Sequence, residues 1–174
     1  MKKIIFLFLF TATSIVAFSQ ATQDKSGNLI GHAKKSDFLK KQYKGWFQHH
    51  YKNYQPDDQV VKKIKNNLKD VSVLCFMGTW CGDSKRETPR FYKIMEAADF
   101  NFEKNFKLIA LNRLKRTPDN LQKDYKIIRI PTFIFYKFGK ELGRYVEYPR
   151  ETMEKDILKI LEGKTYRHSY DRKK

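Results

Sequence analysis

The chain has 174 residues, of which 41% are hydrophobic, and it carries a formal net charge of +17. This hydrophobic share argues against a disordered chain, and a pair of cysteines only six positions apart, Cys75 and Cys81, argues against a fold held by disulfides. The 36 basic residues are spread along the chain without a helix-turn-helix, zinc-finger or aromatic-basic motif, so we expect a solvated basic surface and no nucleic-acid partner.

The first nineteen residues are interpreted as a signal peptide. Lys2 and Lys3 precede an apolar run at 4–18, which is shorter than the roughly twenty residues that a membrane-spanning helix needs. Ala17-Phe18-Ser19 places small residues at the positions that a signal peptidase reads. An uncleaved N-terminal anchor is the alternative. We therefore expect export to the periplasm or secretion, cleavage near Ser19, and membrane contact only through this segment.

Polarity and helical spacing divide the rest of the chain. Residues 20–35 are polar and contain two glycines, which predicts a flexible lead-in. Aromatic residues then recur at helical spacing behind Ser36-Asp37, a pair that is typical of a helix start. The predicted organisation is a signal peptide (1–19), the lead-in (20–35), an N-terminal helical extension (36–55), one α/β domain (56–163) and a basic tail (164–174).

The predicted domain alternates helices and strands. Residues 71–77 form a continuous apolar run rich in β-formers, which indicates a strand buried on both faces. Helical crossovers imply parallel strand pairing, and the turn at Gly139-Lys140 implies an antiparallel pair. We therefore expect an α/β fold with a central mixed β-sheet flanked by helices. The other predicted elements are helices near 56–68, 84–98, 118–125 and 149–162, and strands near 106–112, 131–138 and 141–147.

The stretch from Gly78 to Lys85 follows the buried strand and leads into a helix, which places Cys81 at the helix N-terminus. Unpaired backbone N–H groups and the helix dipole at that position favour a thiolate over a thiol. Lys85 in the first turn acts in the same direction, whereas the carboxylate of Asp83 opposes a second negative charge. Cys81 is therefore the candidate catalytic residue.

The stretch Trp80-Cys81-Gly82-Asp83-Ser84 resembles the Trp-Cys-Gly-Pro-Cys loop of thioredoxins. Ile130-Pro131-Thr132 resembles the Ile-Pro-Thr motif of that family, whose proline is cis and faces the reactive sulfur. The resemblance covers about 57–163 and implies a thioredoxin fold, and the extra N-terminal helix resembles the extended members of exported bacterial systems. It implies catalytic positions at Cys81 and Ser84, in a site shaped by Trp80, Gly82, Asp83, Lys85, Ile130, Pro131, Thr132 and Cys75.

Two departures from the family pattern bear on the mechanism. Ser84 replaces the second cysteine, and a hydroxyl cannot resolve the mixed disulfide that Cys81 would form. An external thiol reductant would then release Cys81, as in monothiol exchange or disulfide isomerisation, with protein or small-molecule thiols and disulfides as partners. Cys75 stands where thioredoxins keep a buried acid, and the loss of that acid is consistent with the loss of the second thiol.

Several alternatives stay open at this level. Cys75 is either a buried small hydrophobe or a resolving thiol, and Trp80 either shields the thiol or packs as an ordinary aromatic. His49 and His50 face apart on a helix and predict a structural role, so we expect neither a metal nor a cofactor. The function is then monothiol exchange, a redox-inactive peptide-binding or chaperone-like module with its groove beside Pro131, or a basic surface-interaction protein.

Overall fold

The computed structural model describes residues 20–171, which build one six-stranded sheet with helices packed against it. The predicted signal peptide and the last three residues of the predicted tail lie outside these described residues. None of the helices within 20–171 is long and apolar enough to cross a membrane. The strands are β1 (Thr22–Gln23), β2 (Leu29–Ala33), β3 (Val71–Met77), β4 (Phe106–Ala110), β5 (Thr132–Lys137) and β6 (Lys140–Val146). The helices are α1 (Lys35–Phe38), α2 (Lys41–Lys52), α3 (Asp58–Asn67), α4 (Gly82–Ala97), α5 (Phe102–Asn105) and α6 (Met153–Leu161).

Strand β3 lies near the centre of the sheet, whose order is β1-β2-β4-β3-β5-β6. It pairs in parallel with β4, where Cys75 lies opposite Leu108, and antiparallel with β5, where Cys75 lies opposite Phe133. Its apolar run is buried as predicted, since Ser72 is its only exposed residue. The predicted mixed sheet flanked by helices is confirmed, and its central strand leads directly into the candidate site.

The helices enclose the main core on one face of the sheet. Cys75 and Met77 of β3 belong to this core, together with buried residues of α1, α2, α3, α4 and α6. Phe91 of α4 stacks on Phe133 of β5 with ring centroids 4.3 Å apart. Burying a side chain of this size stabilises the fold by about 1.5–3 kcal/mol. This packing fixes α4, which contains Pro89, against the sheet immediately behind the site.

The opposite face of the sheet carries a smaller core, which is covered by the chain between β4 and β5. The sequence predicts a helix at 118–125 in this segment, but the described chain forms only a 3-10 turn over Lys123–Tyr125. The backbone breaks at Asn120, whose φ of 51° is left-handed, and the N–H of Leu121 donates to the hydroxyl oxygen of Thr117 at 3.0 Å, which competes with a helix here. A loop therefore covers this face.

The prediction of a flexible lead-in at 20–35 is wrong. These residues contain the β1–β2 hairpin, and β2 pairs antiparallel with β4 to extend the sheet. The turn between the two strands is closed by Asp24, whose carboxylate accepts from the N–H groups of Ser26 and Asn28 at 2.8 and 2.9 Å. A polar sequence suits this position, because most side chains of a strand near the sheet edge stay partly exposed.

The N-terminal extension is predicted as one helix, but the chain breaks at Lys40, whose φ and ψ are −65° and 151°. In one continuous helix, Phe38 and Phe47 would point in opposite directions, about 180° apart around the axis. The break instead lets the buried Phe38 stack on Phe47 with ring centroids 5.5 Å apart. Phe47 also contacts Tyr92 of α4, with ring centroids 5.8 Å apart. The extension is therefore part of the main core.

The described part of the basic tail, 164–171, packs against the domain. The hydroxyl of Tyr166 donates to the carboxylate of Asp156 at 3.1 Å. The guanidinium of Arg129 lies 4.8 Å from the ring centroid of Tyr170. The tail thus reaches the segment that leads into β5, where the second half of the candidate site lies.

Candidate functional site

Cys81 is the N-cap residue of α4 and directly precedes Gly82, with φ −91° and ψ 127°. Its N–H donates to the carbonyl oxygen of Gly78, and its own carbonyl oxygen accepts from the N–H of Lys85, both at 3.0 Å. Its side chain makes no capping hydrogen bond and is partly exposed. The accessible sulfur of Cys81 therefore lies at the end of α4 where the backbone N–H groups of the first turn are unpaired.

The second half of the site comes from the loop before β5. The peptide bond between Ile130 and Pro131 is cis, as predicted, and the Cys81 thiol donates to the carbonyl oxygen of Ile130 with an Sγ–O distance of 3.5 Å. The hydroxyl of Thr132 donates to the carbonyl oxygen of Arg129 at 2.7 Å and holds the loop closed. The two sequence motifs therefore meet in space at the sulfur.

Trp80 attaches the site loop to the end of β4. Its Nε1–H donates to the carbonyl oxygen of Leu111 at 2.8 Å, and the guanidinium of Arg113 lies 5.5 Å from its ring centroid. Gly78 is required beneath it, because a Cβ there would lie 2.7 Å from Trp80 Nε1 and 3.0 Å from Ile130 Cδ1. Trp80 is thus a packed and hydrogen-bonded aromatic side chain that sets the position of the loop.

Ser84 is fully buried beneath the loop, in contrast to the partly exposed Cys81. Its Oγ accepts from the N–H of Gly78 at 3.2 Å and so ties the first turn of α4 to the end of β3. A hydroxyl in this position stabilises the turn but supplies no sulfur for disulfide exchange. Cys81 therefore carries the one thiol in the stretch from Gly78 to Lys85.

An ionic network that the sequence interpretation missed lies along α4. The Asp83 carboxylate pairs with Arg86 at 2.6 Å, and Arg86 also pairs with the fully buried Glu87 at 2.6 Å. Glu87 accepts further bonds from Arg90 and from the hydroxyl of Tyr145, each at 3.1 Å. Burial and the Glu87 charge raise the pKa of Tyr145. The alternation of acids and arginines at helical spacing is the sequence signal that could have revealed this network. Through it, the Asp83 carboxylate close to Cys81 is paired with the guanidinium of Arg86.

Cys75 belongs to a different environment from Cys81, and both are free thiols. Cys75 is fully buried in the main core, whereas Cys81 packs against the smaller core on the other face of the sheet. Burial raises the pKa of the Cys75 thiol well above its ordinary value. The arrangement supports Cys75 as a small buried hydrophobe and disfavours it as a resolving thiol.

The remaining candidates are placed less centrally. Lys85 is half-buried in the first turn of α4, and Gly82 is exposed at its start. His49 and His50 lie on α2 with ring centroids 5.0 Å apart, and burial lowers the pKa of His50. Among residues 20–171, no three His, Cys, Asp or Glu side chains form a group that could hold a metal ion.

The chain is similar to known proteins in sequence and in fold. A family model described as thioredoxin matches residues 32–159. A thioredoxin-like protein of Acanthamoeba polyphaga mimivirus is 28% identical over 98 residues, which cover 55% of this chain and 66% of the viral protein. A thioredoxin of Geodia cydonium is 30% identical over 103 residues, which cover 59% of this chain and 87% of that protein.

One solved structure, a protein of unknown function from Pseudomonas aeruginosa, superposes with a TM-score of 0.56 at 16% identity. The superposition covers 74% of this chain and 91% of the other. At this identity the likeness concerns the fold alone, and the fold it shows is the one described above.

Proposed function

The chain belongs to the thioredoxin family, and on that premise we propose that it is an exported monothiol thioredoxin-like protein that exchanges thiols and disulfides through Cys81. Membership of this family supports a redox role in general. The observation that carries the finer proposal is the position of the Cys81 sulfur, which is partly exposed at the N-terminus of α4 and 3.5 Å from the carbonyl oxygen of Ile130.

The proposed reaction is a single exchange. The Cys81 thiolate attacks one sulfur of a substrate disulfide, so that a Cys81–substrate disulfide forms while the substrate S–S bond breaks. The other substrate sulfur leaves as a thiolate and takes a proton from solvent. One disulfide is consumed and one is formed, so the step needs no further oxidant or reductant.

Release of Cys81 then requires a thiol from outside the loop. An external thiolate, from a small-molecule or protein reductant, attacks the substrate sulfur of the mixed disulfide, and Cys81 leaves as a thiolate. The second thiol of the same substrate can attack in its place, which closes a different disulfide and makes the cycle an isomerisation. The buried hydroxyl of Ser84, and the position of the Cys75 thiol in the core on the other face of the sheet, support this dependence on an outside thiol.

Trapping of the mixed disulfide tests this function. The full chain is expressed in a host that exports it, quenched with acid, alkylated and separated on a non-reducing gel. We expect adducts with the wild type and with Cys75→Ser, which serves as the matched control, and none with Cys81→Ser. A wild type without any adduct would contradict thiol exchange and favour the redox-inactive peptide-binding module.

The proposed export rests on the apolar run at 4–18 and the small residues at Ala17-Phe18-Ser19. Mass spectrometry of the protein recovered from the exported fraction tests it. We expect a mature N-terminus at Gln20. Recovery of the intact N-terminus from the membrane fraction would favour the uncleaved anchor.

A further inference from the structure

The chain between β4 and β5, residues 112–130, forms a basic rim beside the site. Two acidic residues, Asp119 and Asp124, offset only part of its positive charge. Within the described residues 20–171, none of the basic side chains of this rim forms a salt bridge. The basic residues of the rim are Arg113, Lys115, Arg116, Lys123, Lys126 and Arg129.

Three arginines elsewhere in the described chain, Arg86, Arg90 and Arg144, each pair with a carboxylate, whereas the rim collects six unpaired basic side chains within nineteen residues. Within residues 20–171, no carboxylate side chain forms a salt bridge with the basic groups of the rim, so their charge can face a partner. Unpaired charge of one sign beside a reactive group attracts partners of the opposite sign and raises their rate of encounter.

The rim also exposes apolar side chains among its charges. Leu114 is 76% exposed and Ile128 is 56% exposed, and both line a surface depression of about 640 Å³. The Lys115 ammonium donates to the carbonyl oxygen of Ile128 at 2.6 Å and so ties the two sides of the depression together. Apolar side chains bordered by charge are characteristic of surfaces that bind polypeptides.

Both ends of the rim meet the candidate site. Directly before its first residue, the carbonyl oxygen of Leu111 accepts from the indole N–H of Trp80, and within the rim Arg113 lies over the indole ring. At its end, the carbonyl oxygen of Ile130 accepts from the Cys81 thiol. A partner that docks on the rim is therefore placed beside the sulfur.

We propose that the basic rim selects the substrate of Cys81 by docking a polypeptide segment that carries acidic side chains around an apolar one, next to the disulfide to be exchanged. This inference rests on the proposed thiol exchange and adds the substrate class to it. The exposed apolar pair and the adjacent thiol favour a polypeptide over a nucleic acid, because a nucleic acid offers neither an apolar side chain nor a disulfide.

The test measures exchange rates with two matched peptides. Each carries one cysteine as a thiopyridyl mixed disulfide, which releases a chromophore when Cys81 attacks, and a neighbouring leucine flanked by either glutamates or glutamines. We expect the glutamate peptide to react about tenfold faster at low salt, with the advantage shrinking at about 0.5 M salt because the charges are screened.

A rim variant and a matched control separate docking from net charge. Arg116→Gln/Lys123→Gln/Lys126→Gln removes three exposed charges of the rim, and Lys62→Gln/Lys63→Gln/Lys69→Gln removes three exposed charges elsewhere. The ratio of glutamate-peptide to glutamine-peptide rates should fall to about one in the rim variant and stay high in the control. The salt dependence of the unaltered chain gives an independent reading that needs no variant.

Other results would overturn the proposal. Equal wild-type rates for the two peptides would remove the preference, and equal losses in both triple variants would assign it to net charge. Binding of a short RNA that depends on the rim, without any peptide preference, would assign the surface to nucleic acid. An uncharged small disulfide separates a failure of the proposed substrate class from a failure of the proposed exchange. If this disulfide reacts with Cys81 while the two peptides react equally fast, only the substrate class is wrong. If neither the small disulfide nor the peptides react, the exchange function itself is wrong.

Discussion

The Cys81 thiol donates to the carbonyl oxygen of Ile130, a residue 49 positions further along the chain, across 3.5 Å. This contact joins the N-terminus of α4 to the loop that starts β5, so the Cys81 sulfur and the cis Ile130–Pro131 backbone form one site. Buried or closely packed residues around this contact, Gly78, Ser84 and Glu87, hold the geometry of the site, and substitution of each tests its role.

Ser84→Cys should restore an intramolecular second step. A thiol at this position would lie in the first turn of α4, close to any mixed disulfide on Cys81, and would attack at a high effective concentration. We expect the rate of reduction of a model protein disulfide to rise about tenfold or more. Ser84→Cys/Cys81→Ser is the control and should remain inactive. An unchanged rate in the single variant would show that the site has lost more than its second thiol.

Gly78→Ala should destabilise the site loop. The added Cβ would lie 2.7 Å from Trp80 Nε1 and 3.0 Å from Ile130 Cδ1, so it would displace both sides of the site at once. We expect a loss of about 1–3 kcal/mol in the free energy of unfolding by urea, together with slower alkylation of Cys81 in native buffer.

The control for this substitution is Gly45→Ala in α2, where an added Cβ meets nothing within 4 Å. Helical alanine should stabilise the chain there by about 0.5–1 kcal/mol. Equal effects of the two substitutions would contradict the steric argument.

Glu87→Gln should destabilise the fold by about 1–3 kcal/mol, because it removes the buried charge that Arg86, Arg90 and the hydroxyl of Tyr145 share. The loss stays below that of a wholly buried pair, since both arginines keep contact with solvent. Urea unfolding at neutral pH measures it. The matched control is Glu141→Gln, which removes an exposed pair with Arg144 and should cost less than about 1 kcal/mol.

Stability should fall at alkaline pH because of Cys75. Burial raises the pKa of its thiol in the folded chain, so the unfolded chain loses this proton first as the pH rises through the ordinary thiol range. The stability is therefore fully present below the unfolded pKa and declines above it, by at most about 1.4 kcal/mol per pH unit.

Urea unfolding between about pH 7.5 and 9.5, below the ordinary tyrosine range, measures this decline. Cys75→Ala removes the thiol and should show a flatter dependence on pH, although a small cavity lowers its stability at every pH. The same slope in both proteins would assign the decline to other groups.

Most of the fold could be predicted from local patterns. The apolar run of β3, the amphipathic spacing of α3, α4 and α6, and the turn at Gly139 depend on residues close in sequence, and the structure confirms these elements. The errors fall where distant contacts or local side-chain bonds decide. Strand β2 forms because β4 offers an edge to pair with, and the predicted helix at 118–125 gives way to the left-handed backbone at Asn120 and the bond from Leu121 to the Thr117 side chain.

The sequence by itself determined the residues of the candidate site: one cysteine in a strand-to-helix loop, a serine three positions later, and an Ile-Pro-Thr motif far along the chain. Only the tertiary structure decided which groups meet. It places Cys75 and Cys81 against separate cores, pairs Asp83 with Arg86, and brings Arg113 over Trp80 and Ile130 against the Cys81 sulfur. Periodicity and turn chemistry act between neighbours and are visible in sequence, whereas burial and charge pairing depend on the sheet order that brings distant residues together.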